Sequence, residues 1–187
     1  VSHYRLSVHL SIAFIIISII FWLIRNIKSG KNKIFYFFTK NNLPFQFLIL
    51  FLYIQIIMGA FVSGLDAGKI YQTWPMMGQN FLPDDIHLSS LLGLIEFDNH
   101  SLVQFYHRIL AYFIVFYVFA LSVYIYKNKI LNLYIPLKIL LFFLFLQIIL
   151  GILTLISGLN IYLASMHQIT SVLLVLSAIN LYYLRAK

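Results

Sequence analysis

The chain is 187 residues long, 62% hydrophobic and 10% charged, with 13 lysines and arginines against 5 acids. A soluble domain carries roughly 25% charged residues, so composition excludes an ordinary water-soluble enzyme, and the lack of cysteine excludes disulfides, thiolate metal sites and cysteine nucleophiles together. The net charge of +8 is scattered through segments flanking apolar runs rather than gathered into a basic stripe, which excludes nucleic acid as a partner.

The first apolar run, residues 5–25, opens on Arg5 and carries His9 near its start. It is too long for a secretory signal and lacks the basic cluster and cleavage site of one. A first residue of Val1 reads as a fragment or a processed product. Residues 26–43 form a basic connection in which Lys28, Lys31, Lys33 and Lys40 follow Arg25 with no acid among them. A second run, 44–64, leads into the longest connection, 65–101, which holds Asp66, Asp84, Asp85, Glu96 and Asp98 against Lys69 alone. The third run, 102–126, carries His107 and Arg108, and Lys127 and Lys129 follow it, with Lys138 just beyond. A short uncharged turn joins the fourth run, 134–157, to the fifth, 161–184. The fifth carries His167, and Arg185 and Lys187 close the chain.

Each run can cross a hydrocarbon core of about 30 Å. In lipid each must satisfy its own backbone hydrogen bonds, so all are expected to be helices. The expected fold is all-α, a polytopic membrane helical bundle of five transmembrane helices with lipid as its immediate partner. Basic connections alternate with acidic or neutral ones, which by the positive-inside rule places the N-terminus outside and the C-terminus inside.

The chain also repeats itself. Gln55-Ile56-Ile57-Met58-Gly59 in the second run matches Gln147-Ile148-Ile149-Leu150-Gly151 in the fourth, and in each case the next run carries a histidine near its outer end. The long acidic connection then reads as an insertion into a helical hairpin, and the first run as the second half of a hairpin whose first half is absent. Repeats of this kind build pseudo-symmetric bundles. The Gln-x-x-x-Gly pairs read as close helix packing, with Gly59 and Ser63 forming a small-xxx-small step. A direct cofactor contact is the alternative.

Ionisable residues inside a membrane are costly and mark a site or a partner. His9, His107 and His167 each lie one or two turns inside the outer end of a run, and the three runs share one direction, so the imidazoles are expected at one membrane level. Each has a small residue four positions on, Ala13, Ala111 and Ser171, on the same helix face. A planar macrocycle gripped by axial imidazoles needs such an unobstructed strip, and neutral imidazole is a common haem ligand. Zinc is disfavoured because no acid or cysteine joins the histidines inside the membrane. His3, His87 and His100 fall in connections or at run ends and read as solvated. Arg5 and Arg108 sit at outer ends against the charge trend; they either neutralise haem propionates or snorkel to headgroups.

The stretch Gly59-Ala60-Phe61-Val62-Ser63-Gly64-Leu65-Asp66-Ala67-Gly68, with Tyr71-Gln72-Thr73-Trp74-Pro75-Met76-Met77, resembles the signature loop of the haem A synthases of mitochondria and proteobacteria. Phe97-Asp98-Asn99 with Val103-Gln104-Phe105-Tyr106-His107-Arg108 is similar to that family's next histidine helix, Leu163-Ala164-Ser165-Met166-His167-Gln168 to its last, and Tyr4-Arg5-Leu6-Ser7-Val8-His9-Leu10 to the start of its fourth. The resemblance implies eight spans in two pseudo-symmetric halves and oxidation of the C8 methyl of haem O to the formyl of haem A, for cytochrome c oxidase, by successive hydroxylation and dehydration of a gem-diol. It implies that His107 and His167 are the axial ligands of haem b, with Arg108 and Arg5 beside the haems. His9 would ligate iron at the substrate-haem site, and its partner histidine and a catalytic glutamate would lie on a helix outside this chain. Glu96, the only glutamate, lies in the outer connection and does not fit that role.

On this reading residues 1–25 are the last helix of the N-terminal half, 26–43 a basic inner loop, and 44–187 the C-terminal haem b half with its outer loop at 65–101. The chain would carry helices four to eight and be inactive alone. Haem O synthase, cytochrome c oxidase assembly factors and a second copy of the chain are the expected protein partners. The host membrane is expected to be a bacterial plasma membrane or a mitochondrial inner membrane. The residues by themselves also allow a bis-histidine cytochrome b that only relays electrons, or a haem-free assembly protein. The long outer connection, with Trp74, Pro75 and Pro83, is expected to cap the outer face of the haem pockets.

Overall fold

The computed structural model describes residues 2–35, 39–83, 85 and 96–186. Its helices are α1 (His3–Ser29), α2 (Leu43–Gly64), α3 (His100–Lys127), α4 (Tyr134–Ile156) and α5 (Ile161–Arg185), and all five are long and apolar enough to cross a membrane. The chain is an all-α integral membrane bundle. The largest departure from the expected runs is at the end of α1, which continues to Ser29. Asn26 and Lys28 carry the helix out of the apolar layer, and it stops only at Gly30, whose φ of 63° lies in the left-handed region. Beyond it the Lys31 N–H closes on the Asn26 carbonyl at 3.2 Å.

Asparagines start both helices that carry the paired histidines. Asn99 accepts from the Leu102 N–H at 3.0 Å, and Asn160 accepts from the Tyr162 and Leu163 N–H groups at 3.0 and 3.4 Å. Each cap lies about two turns before its histidine, so the same local device sets the depth of His107 and of His167.

Helix α2 packs against α1, α3 and α5, while α4 packs closely against α5 and more loosely against α3. The helices α2 to α5 therefore form a square with α3 and α5 on one diagonal, and α1 lies along its α2–α5 edge. Phe14, Leu48, Leu52, Val118, Leu140 and Ile179 are buried members of one apolar core that all five helices share. Helices α1 and α2 approach most tightly at Gly64, where a Cβ would stand 2.7 Å from His3 Cβ. Gly64 is the small residue at this crossing; of the Gly59 and Ser63 step expected to pack closely, Gly59 faces α3, where a Cβ would stand 3.1 Å from His107 Cε1, and Ser63 is exposed.

The basic end of the bundle is tied by aromatic and polar side chains. Trp22 Nε1 donates to the Lys33 carbonyl at 2.9 Å, Tyr182 OH to the Phe35 carbonyl at 2.7 Å and Tyr183 OH to the Arg25 carbonyl at 3.0 Å. Lys33 Nζ donates to the carbonyls of Tyr183, at 2.9 Å, and of Ala186. These bonds hold the connection after α1 onto the last turn of α5 and supply donors to carbonyls that helix geometry leaves unpaired.

Candidate bis-imidazole site

In the α2–α3 hairpin the Gln55 amide nitrogen lies 3.2 Å from His107 Nδ1 and 3.4 Å from Nε2, and it donates to the His107 carbonyl at 3.0 Å. In the α4–α5 hairpin the Gln147 amide nitrogen lies 3.2 Å from His167 Nε2, and His167 Nδ1 lies 3.1 Å from the Gln147 carbonyl. A carbonyl only accepts, so Nδ1 of His167 carries the proton and Nε2 keeps its lone pair for the amide. One turn beyond each glutamine a glycine makes room for the ring. A Cβ on Gly59 would stand 3.1 Å from His107 Cε1, and one on Gly151 would stand 2.9 Å from His167 Cε1.

The two cradles match although glutamine and histidine are 52 residues apart in one hairpin and 20 in the other. The repeat is thus a repeat of side-chain arrangement, and the Gln-x-x-x-Gly segments serve the imidazoles. Sequence reading recognised these segments but not that role; their fixed order ahead of each histidine was the available signal. His107 and His167 stand on the diagonal helices and are half-buried.

The remaining expected residues fall into other places. His9 and Arg5 are exposed on α1, where with Tyr4, Val8 and Ile12 they line a shallow cavity of about 380 Å³. Arg108 turns its guanidinium into the long acidic connection, donating to the carbonyls of Tyr71 at 2.8 Å, Thr73 at 2.9 Å and Met76 at 3.3 Å. Gln104, which is buried, donates to the same Tyr71 carbonyl at 2.9 Å. The connection is thereby strapped to the N-terminal end of α3, and a Cβ on Gly68 would stand 2.8 Å from Leu159 in the α4–α5 turn. His3 is not solvated as expected: its side chain is 12% exposed and lies 3.1 Å from Asp98. The N-terminal turn of α1 packs there against Phe61 of α2. His100 is exposed at the start of α3, and His87 and Asp84 lie outside the described residues.

A bare metal ion would need more donors than the two rings supply, and among the described residues no group of three or more metal-ligating side chains gathers. Two imidazoles on diagonal helices suit a metal that brings its other four ligands in a planar macrocycle. Gln55 Oε1, Gln147 Oε1, Arg108 Nε and the Tyr112 hydroxyl are buried without a hydrogen-bond partner. Native proteins leave few such groups unsatisfied, and polar edges of a bound ligand would satisfy them. The donor set and its surroundings fit a haem.

Fold and site together define an integral membrane helical bundle with a duplicated imidazole cradle in its interior. Residues 1–179 match the profile of the cytochrome oxidase assembly protein family, and the chain belongs to that family. It is 42% identical to the haem A synthase of Pelagibacter ubique over 183 residues, covering 95% of this chain and 51% of that protein. It is 39% identical to the haem A synthase of Rickettsia prowazekii over 98% of this chain and 54% of the relative. Against the haem A synthase of Wolbachia pipientis wMel it is 38% identical over 93% of this chain and 48% of the relative. The chain therefore spans about half the length of the curated relatives it matches. No solved structure matches it.

Proposed function

We propose that α2 to α5 form the haem b half of a haem A synthase. On this reading His107 and His167 are the axial ligands, and α1 contributes His9 and Arg5 to a second site, where the C8 methyl of haem O is oxidised to a formyl group. The observation that carries it is the duplicated cradle, in which a glutamine amide meets an imidazole that rests on a glycine, twice, on diagonal helices. Haem b supplies one-electron redox chemistry when bound. The residues of the chain hold and tune it. The His167 Nδ1–H bond to the Gln147 carbonyl leaves Nε2 as the ring's lone-pair nitrogen, the atom that would hold iron in place of its present contact with the Gln147 amide, and such outer bonds fix ring orientation and raise ligand basicity.

The strapped outer connection covers the outer ends of α3 and the α4–α5 turn and keeps water from the site. His9 is exposed where a ligand of a membrane site should be enclosed, so the oxidising site is completed by further polypeptide that packs on this face of α1. The charge pattern puts the acidic connection and both cradles toward the outer side and the basic end inside.

The test is an optical spectrum of the purified chain, with haem supplied during expression. A six-coordinate low-spin band is expected, absent in His107→Ala and in His167→Ala and retained in His9→Ala. Haem A formation, assayed in cells that also express the remaining helices, should be lost in His9→Ala. If that variant makes haem A normally, the second site is wrong and an electron-relaying cytochrome b fits better. A purified chain that takes up no haem sinks both readings.

A further inference from the structure

At the basic end of the bundle a cleft of about 640 Å³ opens between the connection after α1 and the last turn of α5, lined by Lys31, Asn32, Lys33, Asn132, Leu184, Arg185 and Ala186. Three of these residues are cationic and none is acidic. The described acids, Asp66, Asp85, Glu96 and Asp98, lie in the connection at the opposite end, so among the described residues no carboxylate side chain balances the cleft.

The cations are not equivalent. Lys33 forms the floor, its ammonium spent on the carbonyls of Tyr183 and Ala186. That contact also offsets the partial negative charge at the C-terminal end of α5, which would otherwise repel an anion. Burial, and then the like charges of Lys31 and Arg25, hold the Lys33 ammonium below the usual lysine range. Lys31 and Arg185 form the arms: neither spends its side chain on a hydrogen bond among the described residues, and Arg185 Nε is buried without a partner. Two cations with open donors over a third that is crowded by its own kind make a site short of an anion.

The exposed apolar residues that neighbour the cleft residues in the chain say which anion. Leu131 and Ile135, on either side of Asn132 in sequence, are 71% and 72% exposed, and Ile34, next to Lys33, is 66% exposed. A soluble phosphate has no use for exposed apolar surface beside the cations, whereas a phospholipid places its phosphate on the cations and its acyl chains along apolar helix surface. Basic pockets at the cytoplasmic ends of transmembrane helices are suited to such headgroups.

We propose that this cleft is a binding site for the phosphate of an anionic phospholipid, held by Lys31 and Arg185 above Lys33. The inference is independent of the haem reading, because it uses none of the residues of the cradles.

Full-length chain in detergent is titrated with short-chain phosphatidylglycerol, with phosphatidylcholine of the same chain length, and with glycerol phosphate, and bound lipid is counted by native mass spectrometry. One phosphatidylglycerol per chain should be retained in preference to phosphatidylcholine. Lys31→Gln and Arg185→Gln should each weaken it about fivefold, and neither change removes a hydrogen bond that holds the fold. Lys127→Gln and Lys129→Gln, basic residues at the same end but outside the cleft, should leave it unchanged. Equal loss in those controls would mean a diffuse surface attraction and overturn the site. Glycerol phosphate binding as tightly as the lipid would overturn the lipid assignment in favour of a soluble phosphate. No preference for phosphatidylglycerol over phosphatidylcholine would overturn both.

Discussion

At the scale of single residues, the glycines and glutamines of the cradles make sharper predictions than the histidines do. A Cβ on Gly151 would stand 2.9 Å from His167 Cε1 and one on Gly59 3.1 Å from His107 Cε1, and each ring is confined by a contact with its hairpin's glutamine, the side-chain amide of Gln55 or the backbone carbonyl of Gln147. Overpacking of this kind costs about 1–3 kcal/mol. Gly151→Ala should therefore lower thermal stability in detergent and haem retention on purification more than Gly59→Ala does, and the reverse order would refute this account of the cradle. The glutamines should rank the other way. Gln55 supplies both the ring contact and a bond to the His107 carbonyl, whereas the His167 ring keeps its bond to the Gln147 backbone whatever side chain is present. Gln55→Leu should cost about 1 kcal/mol more than Gln147→Leu, measured by the same melts. The histidines were legible because an ionisable group inside an apolar run is conspicuous. Their glycine and glutamine partners were legible only as a repeat, since nothing in a linear sequence says which ring a glycine faces.

At the scale of elements, the asparagine caps and the outer strap position the site. Removing a side-chain cap costs about 1 kcal/mol, and the caps of α3 and α5 also set the depth of their histidines. Asn99→Ala and Asn160→Ala should each destabilise by that amount and broaden the haem spectrum, as ligand geometry becomes heterogeneous. The connection from Tyr71 to Met76 is held chiefly by Arg108, which makes three bonds to its carbonyls. Arg108→Gln should release it, read as faster proteolysis between residues 70 and 80 with the helices still protected. Unchanged cleavage would mean that the strap is not what holds the connection. The same substitution separates this role from a direct contact with haem. A structural strap, once lost, leaves the six-coordinate band in place, whereas loss of a propionate partner shifts its reduction potential. The helices themselves were legible to within a few residues, because in lipid an apolar run has no other way to pair its backbone. The strap was not, because it depends on which carbonyls the connection brings above α3.

At the scale of the whole molecule, α1 is fastened to the square at its basic end by Trp22, Lys33, Tyr182 and Tyr183, and at its other end by the close pass of His3 over Gly64. Trp22 is buried against Tyr182 and Tyr183 as well as bonded to the Lys33 carbonyl. Trp22→Ala should therefore destabilise the bundle by about 3–5 kcal/mol, seen as a lower melting temperature, and should loosen α1 without abolishing the haem binding proposed for α2–α5. A variant that keeps wild-type stability would show that α1 is only loosely attached. The sequence alone determined the solvent and the number of the spans, and it singled out the candidate ligands. Hydrophobic length, charge alternation and misplaced histidines are local properties that a bilayer reads one segment at a time. Only the tertiary structure decided that α3 and α5 stand on a diagonal, that His107 and His167 each meet a glutamine and a glycine of the preceding helix while His9 lies exposed on α1, and that Arg108 holds a connection. Those outcomes depend on which helix faces meet, and inside a membrane that choice is made by close packing and polar pairing, not by the hydrophobicity that dominates the linear pattern.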